Sequence, residues 1–268
     1  MTDEERLASV PDYRRLRARL VALQNLVSDG LRRDVLDEAA SRLGLMRGGV
    51  LSLSSELELG VVADFAIYDI RRHWQTRVER FVADRFAKLD PEGRAVLAAM
   101  AEQRYALLRV TRTLPGAGVH VDDLLGGSTT FLYDIGLSQS AEPGLIIATR
   151  VVAPEGVTMT TGAGLPIVVL PDEAMEEFNA GLRQSGLSRL AEQGPSRRTE
   201  LAQAIIEVAL EGATKVAMFS HDATDPAAPV VPITPPAVEE QFGPGPGGRS
   251  PAAGRGSRSV PGRPSARP

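Results

Sequence analysis

The chain reads as an α+β protein: an N-terminal helical region, a small antiparallel β-barrel-like module, two C-terminal helices and a disordered tail. Three observations predict this. Apolar residues recur at steps of three and four over the first hundred positions. The period shortens near Tyr105, where five short apolar runs follow one another between turn signals. From Pro226 to Pro268, 11 of 43 residues are Pro and 7 are Gly, a composition that buries too little apolar area to offset chain entropy. The implied boundaries are 1–104, 105–170, 171–225 and 226–268.

The elements follow in order. Tyr13, Leu16, Leu20, Leu23 and Val27 form one helical stripe, with Arg14, Arg15, Arg17 and Arg19 largely off it. Gly30 interrupts the pattern, which Val35, Leu36, Ala39 and Leu43 resume until Arg47-Gly48-Gly49. Ser55 stands three residues before Glu58, the spacing of a capping box, ahead of Val61, Val62, Phe65 and Tyr68. Val78, Phe81, Val82, Phe86 and Leu89 form a fourth stripe. Asp90-Pro91 restarts a helix, a capping carboxylate followed by proline at the first helical position, with Val96, Leu97 and Met100 on its face.

The strands are expected at 105–113, 119–121, 130–135, 145–152 and 157–161, separated by Pro115-Gly116, Gly126-Gly127, Glu142-Pro143-Gly144 and Pro154-Glu155-Gly156. Short strands at such spacing are the pattern of a small barrel or rolled antiparallel sheet. Helices are expected to return after Pro166: one through Met175, Phe178 and Leu182, and, beyond Gly194-Pro195-Ser196, a second through Leu201, Ile205 and Val208.

Composition narrows the chemistry. There are no cysteines, which excludes disulfides, thiol nucleophiles and thiolate zinc sites. The net charge is −4, and residues 1–225 carry −7, so no general attraction to polyanions follows. The acidic N-terminus lacks the apolar core of a secretory signal, and no run is long enough to span a bilayer; a cytoplasmic protein with no membrane partner is expected.

The runs Pro115-Gly116-Ala117-Gly118-Val119-His120-Val121-Asp122-Asp123-Leu124-Leu125 and Pro143-Gly144-Leu145-Ile146-Ile147-Ala148-Thr149-Arg150-Val151-Val152, with Thr161-Gly162-Ala163-Gly164-Leu165-Pro166, resemble uncharacterised bacterial proteins that often end in a SEC-C motif. These are mostly turn and core residues, so the resemblance implies a fold more than an activity. A SEC-C motif supplies Cys and His ligands for zinc. The corresponding end here is Gly243-Pro244-Gly245-Pro246-Gly247-Gly248-Arg249, with neither, so no metal site carries across.

No complete catalytic, metal or cofactor constellation is legible. His73, His120 and His221 lie far apart, and no pair has helical ligand spacing. Gly162-Ala163-Gly164 lacks the third glycine of a dinucleotide turn, and neither Lys88 nor Lys215 follows a glycine-rich loop. Asp122 and Asp123 are adjacent, so on a strand they point to opposite faces. The candidate binding surface is His120, Asp122, Phe131, Tyr133, Arg109 and Arg150. His120 and Asp122 would share a strand face, Phe131 and Tyr133 would share another, and Arg109 and Arg150 lie on neighbouring strands. Buried aromatics are the competing reading of Phe131 and Tyr133. Three functions stay open: a non-enzymatic binding or adaptor module with a protein partner, a reader of single-stranded nucleic acid through the β module, and a hydrolase whose site gathers distant segments.

Overall fold

The structure is a computed structural model and describes residues 1–222. The N-terminal half is helical. α1 (Asp3–Ala8) opens with a capping box at Thr2 and Glu5. α2 (Val10–Ser28) buries Tyr13, Leu16, Leu20, Leu23 and Val27, the stripe expected from the sequence. α3 (Arg33–Arg42) follows. The Arg47-Gly48-Gly49 break is a small hairpin, β1 (Met46–Arg47) against β2 (Val50–Leu51). Ser55 caps α4 (Glu56–Tyr68), Thr76 caps α5 (Arg77–Arg85), and Asp90 caps α6 (Pro91–Glu102) through the Gly93 amide.

Five strands then form one sheet: β3 (Arg104–Leu114), β4 (Gly118–Asp123), β5 (Thr129–Tyr133), β6 (Leu145–Val152) and β7 (Met159–Val169). They hydrogen-bond in the order β3-β4-β5-β7-β6, and β6 returns to β3, so the sheet closes on itself. Four of the five seams are antiparallel. The fifth departs from the expected antiparallel module: β5 meets β7 in parallel through Tyr133 and Met159. Ala106, Leu108, Val110, Val119, Val121, Leu132, Ile147 and Val151 form a buried cluster of strand residues.

Two further buried clusters lie between sheet and helices. Tyr13, Leu16, Leu20, Leu97 and Met100 pack with Phe131, Tyr133, Val152 and Met159. Val61, Val62, Phe65 and Ile70 of the α4 segment pack with Tyr105, Leu107, Ile146, Leu165 and Ile205.

Three details correct the sequence expectations. Residues 134–140, read partly as strand, cap and form α7 (Ile135–Ser140), with the Asp134 carboxylate accepting from the Leu137 amide. β7 does not stop at Thr161. It runs through Gly162, Gly164 and Pro166 to Val169, because the glycines allow close approach: a Cβ on Gly164 would stand 3.3 Å from Thr149 Oγ1, and one on Gly162 2.8 Å from the Arg17 guanidinium. Among the described residues the C-terminal part has three α-helices instead of two: α8 (Met175–Gln184), α9 (Leu187–Glu192) and α10 (Arg198–Asp222). Gly186, in a left-handed conformation, separates the first two.

The chain divides into two units, Met1–Val231 and Pro232–Pro268. Everything described here belongs to the first. The expected tail, 226–268, lies outside the described residues.

Candidate functional site

The sequence of α4 and its exit runs Val61-Val62-Ala63-Asp64-Phe65-Ala66-Ile67-Tyr68-Asp69-Ile70, an apolar stretch broken by two carboxylates. Both are buried, at 4% and 1% exposure. A buried carboxylate needs a partner, and one arginine serves both. Arg150 on β6 is fully buried and donates from Nε to Asp64 Oδ2 at 2.6 Å, from one Nη to Asp69 and from the other to the Gln103 side chain. Its guanidinium lies 4.6 Å from the Tyr68 ring centroid and 5.1 Å from that of Tyr105. Thr161 on β7 donates to the other Asp64 oxygen at 2.8 Å.

The cluster carries two carboxylates for one guanidinium. Burial disfavours the charged form of Asp69 and lifts its carboxyl to about 6; Arg150 opposes the rise and neighbouring Asp64 adds to it. Burial likewise raises the hydroxyls of Tyr68 and Tyr105, with the Asp64 charge adding to both. Arg150 is raised as well, for the opposite reason: burial works against its charge, and Asp64 and Asp69 more than compensate. The Tyr105 hydroxyl is buried with no hydrogen-bond partner among the described residues.

One side of this cluster opens. Asp69, Tyr68 and Gln103 lie at the base of a cleft of about 410 Å³. One wall is Arg71, Thr76 and Glu79, where Arg71 and Glu79 form a two-pronged pair at 3.1 Å. The other comes from the start of α10: Ser196, Arg198, Thr199 and Gln203. A Thr199 hydrogen bond to Asp69 links that wall to the base. Among the described residues Arg198 has no carboxylate partner. A buried, perturbed carboxylate at the base of a cleft is the arrangement that ligand and active sites use.

The residues expected to form a binding surface do not come together as one. Arg150 is the buried hub just described and offers no charge to solvent. Phe131 and Tyr133 are buried beneath the N-terminal helices: Tyr13 stacks on Tyr133 at 5.9 Å, Phe131 meets Tyr133 edge-on at 4.8 Å, and Arg6 sits 5.0 Å over the Phe131 ring. They are core aromatics, and no stacking platform is exposed there. His120 lies edge-on to Phe131 at 5.0 Å, beside Arg112. Partial burial lowers its pKa, with Arg112 and Arg6 adding to the effect. Arg109 pairs with Asp172, and Asp122 accepts from Thr129 at 2.7 Å. Among the described residues no group of His, Asp and Glu is placed to hold a metal ion, and no helix is long and apolar enough to cross a membrane.

Sequence reasoning missed Asp64, Asp69 and Gln103. The available signal was two acids inside an apolar helical run, since a polar residue in such a run is the informative one. The partner was unreadable: Arg150 lies 86 residues from Asp64.

The fold and cleft define an α+β protein with a closed five-stranded sheet and a polar cleft against its helical flank. The chain belongs to DUF7986, a family of unknown function whose model matches residues 8–167. Neither a curated protein nor a solved structure matches it.

Proposed function

We propose that the protein is a non-enzymatic binding module and that the cleft over Asp69 takes a small zwitterion of amino-acid type. The observation that carries this is the imbalance at the base of the cleft: two buried carboxylates share one guanidinium. A cationic group entering the cleft would supply the missing positive charge, and Arg198 at the rim suits an acidic group pointing outward. Asp69 is tied to Arg150 and Thr199, which makes it a positioned acceptor more than a mobile base. That favours holding a ligand over turning one over.

The test is thermal denaturation of the full chain with L-arginine, L-lysine and agmatine at pH 5 and pH 7.5. The zwitterions are expected to raise Tm more than agmatine does. The rise should be larger at pH 7.5, where Asp69 is ionised, and should vanish in Asp69→Asn. No shift with any of the three probes, or a shift that persists in Asp69→Asn, overturns the reading.

A further inference from the structure

The only tryptophan of the chain is also, among the described residues, the most exposed large apolar side chain. Trp74 is 91% accessible. It sits in a two-residue turn closed by Arg72 and Gln75, which exchange both backbone hydrogen bonds, at 2.8 and 3.2 Å. Both turn residues are left-handed, His73 at φ 53° and Trp74 at φ 69°. A tight turn of this kind favours Asn-Gly; a bulky aromatic there is strained. The turn is nonetheless clamped. Arg71 donates to the Trp74 carbonyl at 2.8 Å while gripping Glu79, and Arg80 donates to the Arg72 carbonyl at 3.1 Å.

The same turn supplies Arg72 and His73 to a neighbouring cavity of about 170 Å³. Its base is apolar, with Val35 and Ile70. Arg32, Arg77 and Arg80 add to its rim; Arg32 pairs with the one lining carboxylate, Asp34, at 2.9 Å, and Arg72 pairs with Glu38, so the positive excess rests on Arg77 and Arg80. Arg77 gives two donors to the Val27 and Asp29 carbonyls, and among the described residues no carboxylate pairs with it. The surface thus combines an aromatic face held clear of the protein, a cationic rim and a small apolar recess.

We propose that this surface binds single-stranded nucleic acid, with a base stacked on Trp74 and the backbone phosphates drawn to Arg77 and Arg80, with the exposed Arg32–Asp34 pair at the edge. Stacking needs only an open ring face and tolerates any base, which suits a tryptophan with no pocket of its own. The excess of guanidinium over carboxylate complements a phosphate chain. The chain as a whole is acidic, so the attraction is local and short-ranged. This site shares the Arg71–Glu79 pair with the wall of the Asp69 cleft but lies on its far side and does not depend on the function proposed for that cleft.

Because Trp74 is the sole tryptophan, its emission reports on the site alone. Titration of the full chain with dT12 and U12 is expected to quench it. Affinity should fall with salt at a log–log slope near −0.7 per phosphate engaged. Trp74→Gly should lower affinity roughly tenfold or more, while relief of the left-handed strain raises Tm by about 2–4 °C. Trp74→Phe should retain binding, and Arg32→Ala should weaken it and flatten the salt slope. Absence of quenching at low salt overturns the proposal. So does unchanged affinity in Trp74→Gly measured with labelled oligonucleotide, equal binding of poly-glutamate, or an emission shift produced by phosphatidylglycerol vesicles and not by oligonucleotide.

Discussion

Arg150 Nε donates to Asp64 Oδ2 at 2.6 Å, joining β6 to α4 across 86 residues of chain. The same guanidinium also holds Asp69 and Gln103, so one side chain fixes the α4 exit, the end of α6 and the sheet against one another. The ionic network is buried, and desolvation offsets much of the attraction within it. Its contribution is therefore best seen by removing one member.

Arg150→Met is expected to cost about 3–5 kcal/mol, because it strands two carboxylates in the interior. The loss should be smaller at pH 5 than at pH 7.5, since a stranded carboxylate escapes by taking a proton. Arg150→Lys is expected to rescue only in part: an ammonium lacks the planar fork that reaches three acceptors at once. Urea denaturation of the three proteins at both pH values measures each of these.

Asp69 makes stability depend on pH. Its carboxyl binds a proton more tightly in the folded protein, at about 6, than at its ordinary 3.8. Between those values the native state holds more protons than the unfolded chain, so stability from this group falls as pH rises. The contribution is complete below about 3.8 and gone above about 6, and is on the order of 3 kcal/mol. Asp69→Asn is expected to flatten the stability profile across that window. It leaves Asp64 and Arg150 as a balanced pair, so stability at pH 7.5 should not fall. Urea midpoints at half-unit pH steps from 3.5 to 7.5 test both points.

Gly118 is fixed by contact instead of by backbone conformation. A Cβ there would lie 2.1 Å from the Leu132 carbonyl oxygen and 2.9 Å from Tyr133 Cα. Both obstacles are backbone, so neither can rotate away. Gly118→Ala is expected to cost at least about 1–3 kcal/mol and to pry β4 from β5 next to the single parallel seam. Amide exchange should then quicken at Val119, Leu132 and Tyr133 ahead of the rest of the sheet.

Much of the fold is legible in the chain because local rules and tertiary outcome agree. The Tyr13–Val27 stripe, the Ser55 and Asp90 caps and the turn pairs between the strands all sit where periodicity and capping chemistry put them. The end of β7 is not legible, since Gly162-Ala163-Gly164-Leu165-Pro166 has the residues of a turn. Only Thr149 and Arg17, from elsewhere in the chain, explain why small residues sit inside a strand. The site is less legible still. Arginine is usually a surface residue, so Arg150 reads as part of a basic face until Asp64 and Asp69 are seen around it. Phe131 and Tyr133 present the converse problem: strand alternation puts them on the outer face, and only Tyr13 and Arg6 reveal that this face is covered.

The two sides of the Asp69 cleft stand differently to the stretch that matches the family. Asp64, Asp69, Gln103 and Arg150 all fall inside the stretch that matches the family, residues 8–167, whereas Ser196, Arg198, Thr199 and Gln203 fall beyond it. The ionic base is bound up with the packing of helix on sheet, because Arg150 holds Asp64, Asp69 and Gln103 from three segments at once. The α10 wall meets that base through the Thr199 bond to Asp69. The floor of the cleft is thus anchored in the interior of the sheet, while its outer wall hangs on a helix past the matched stretch.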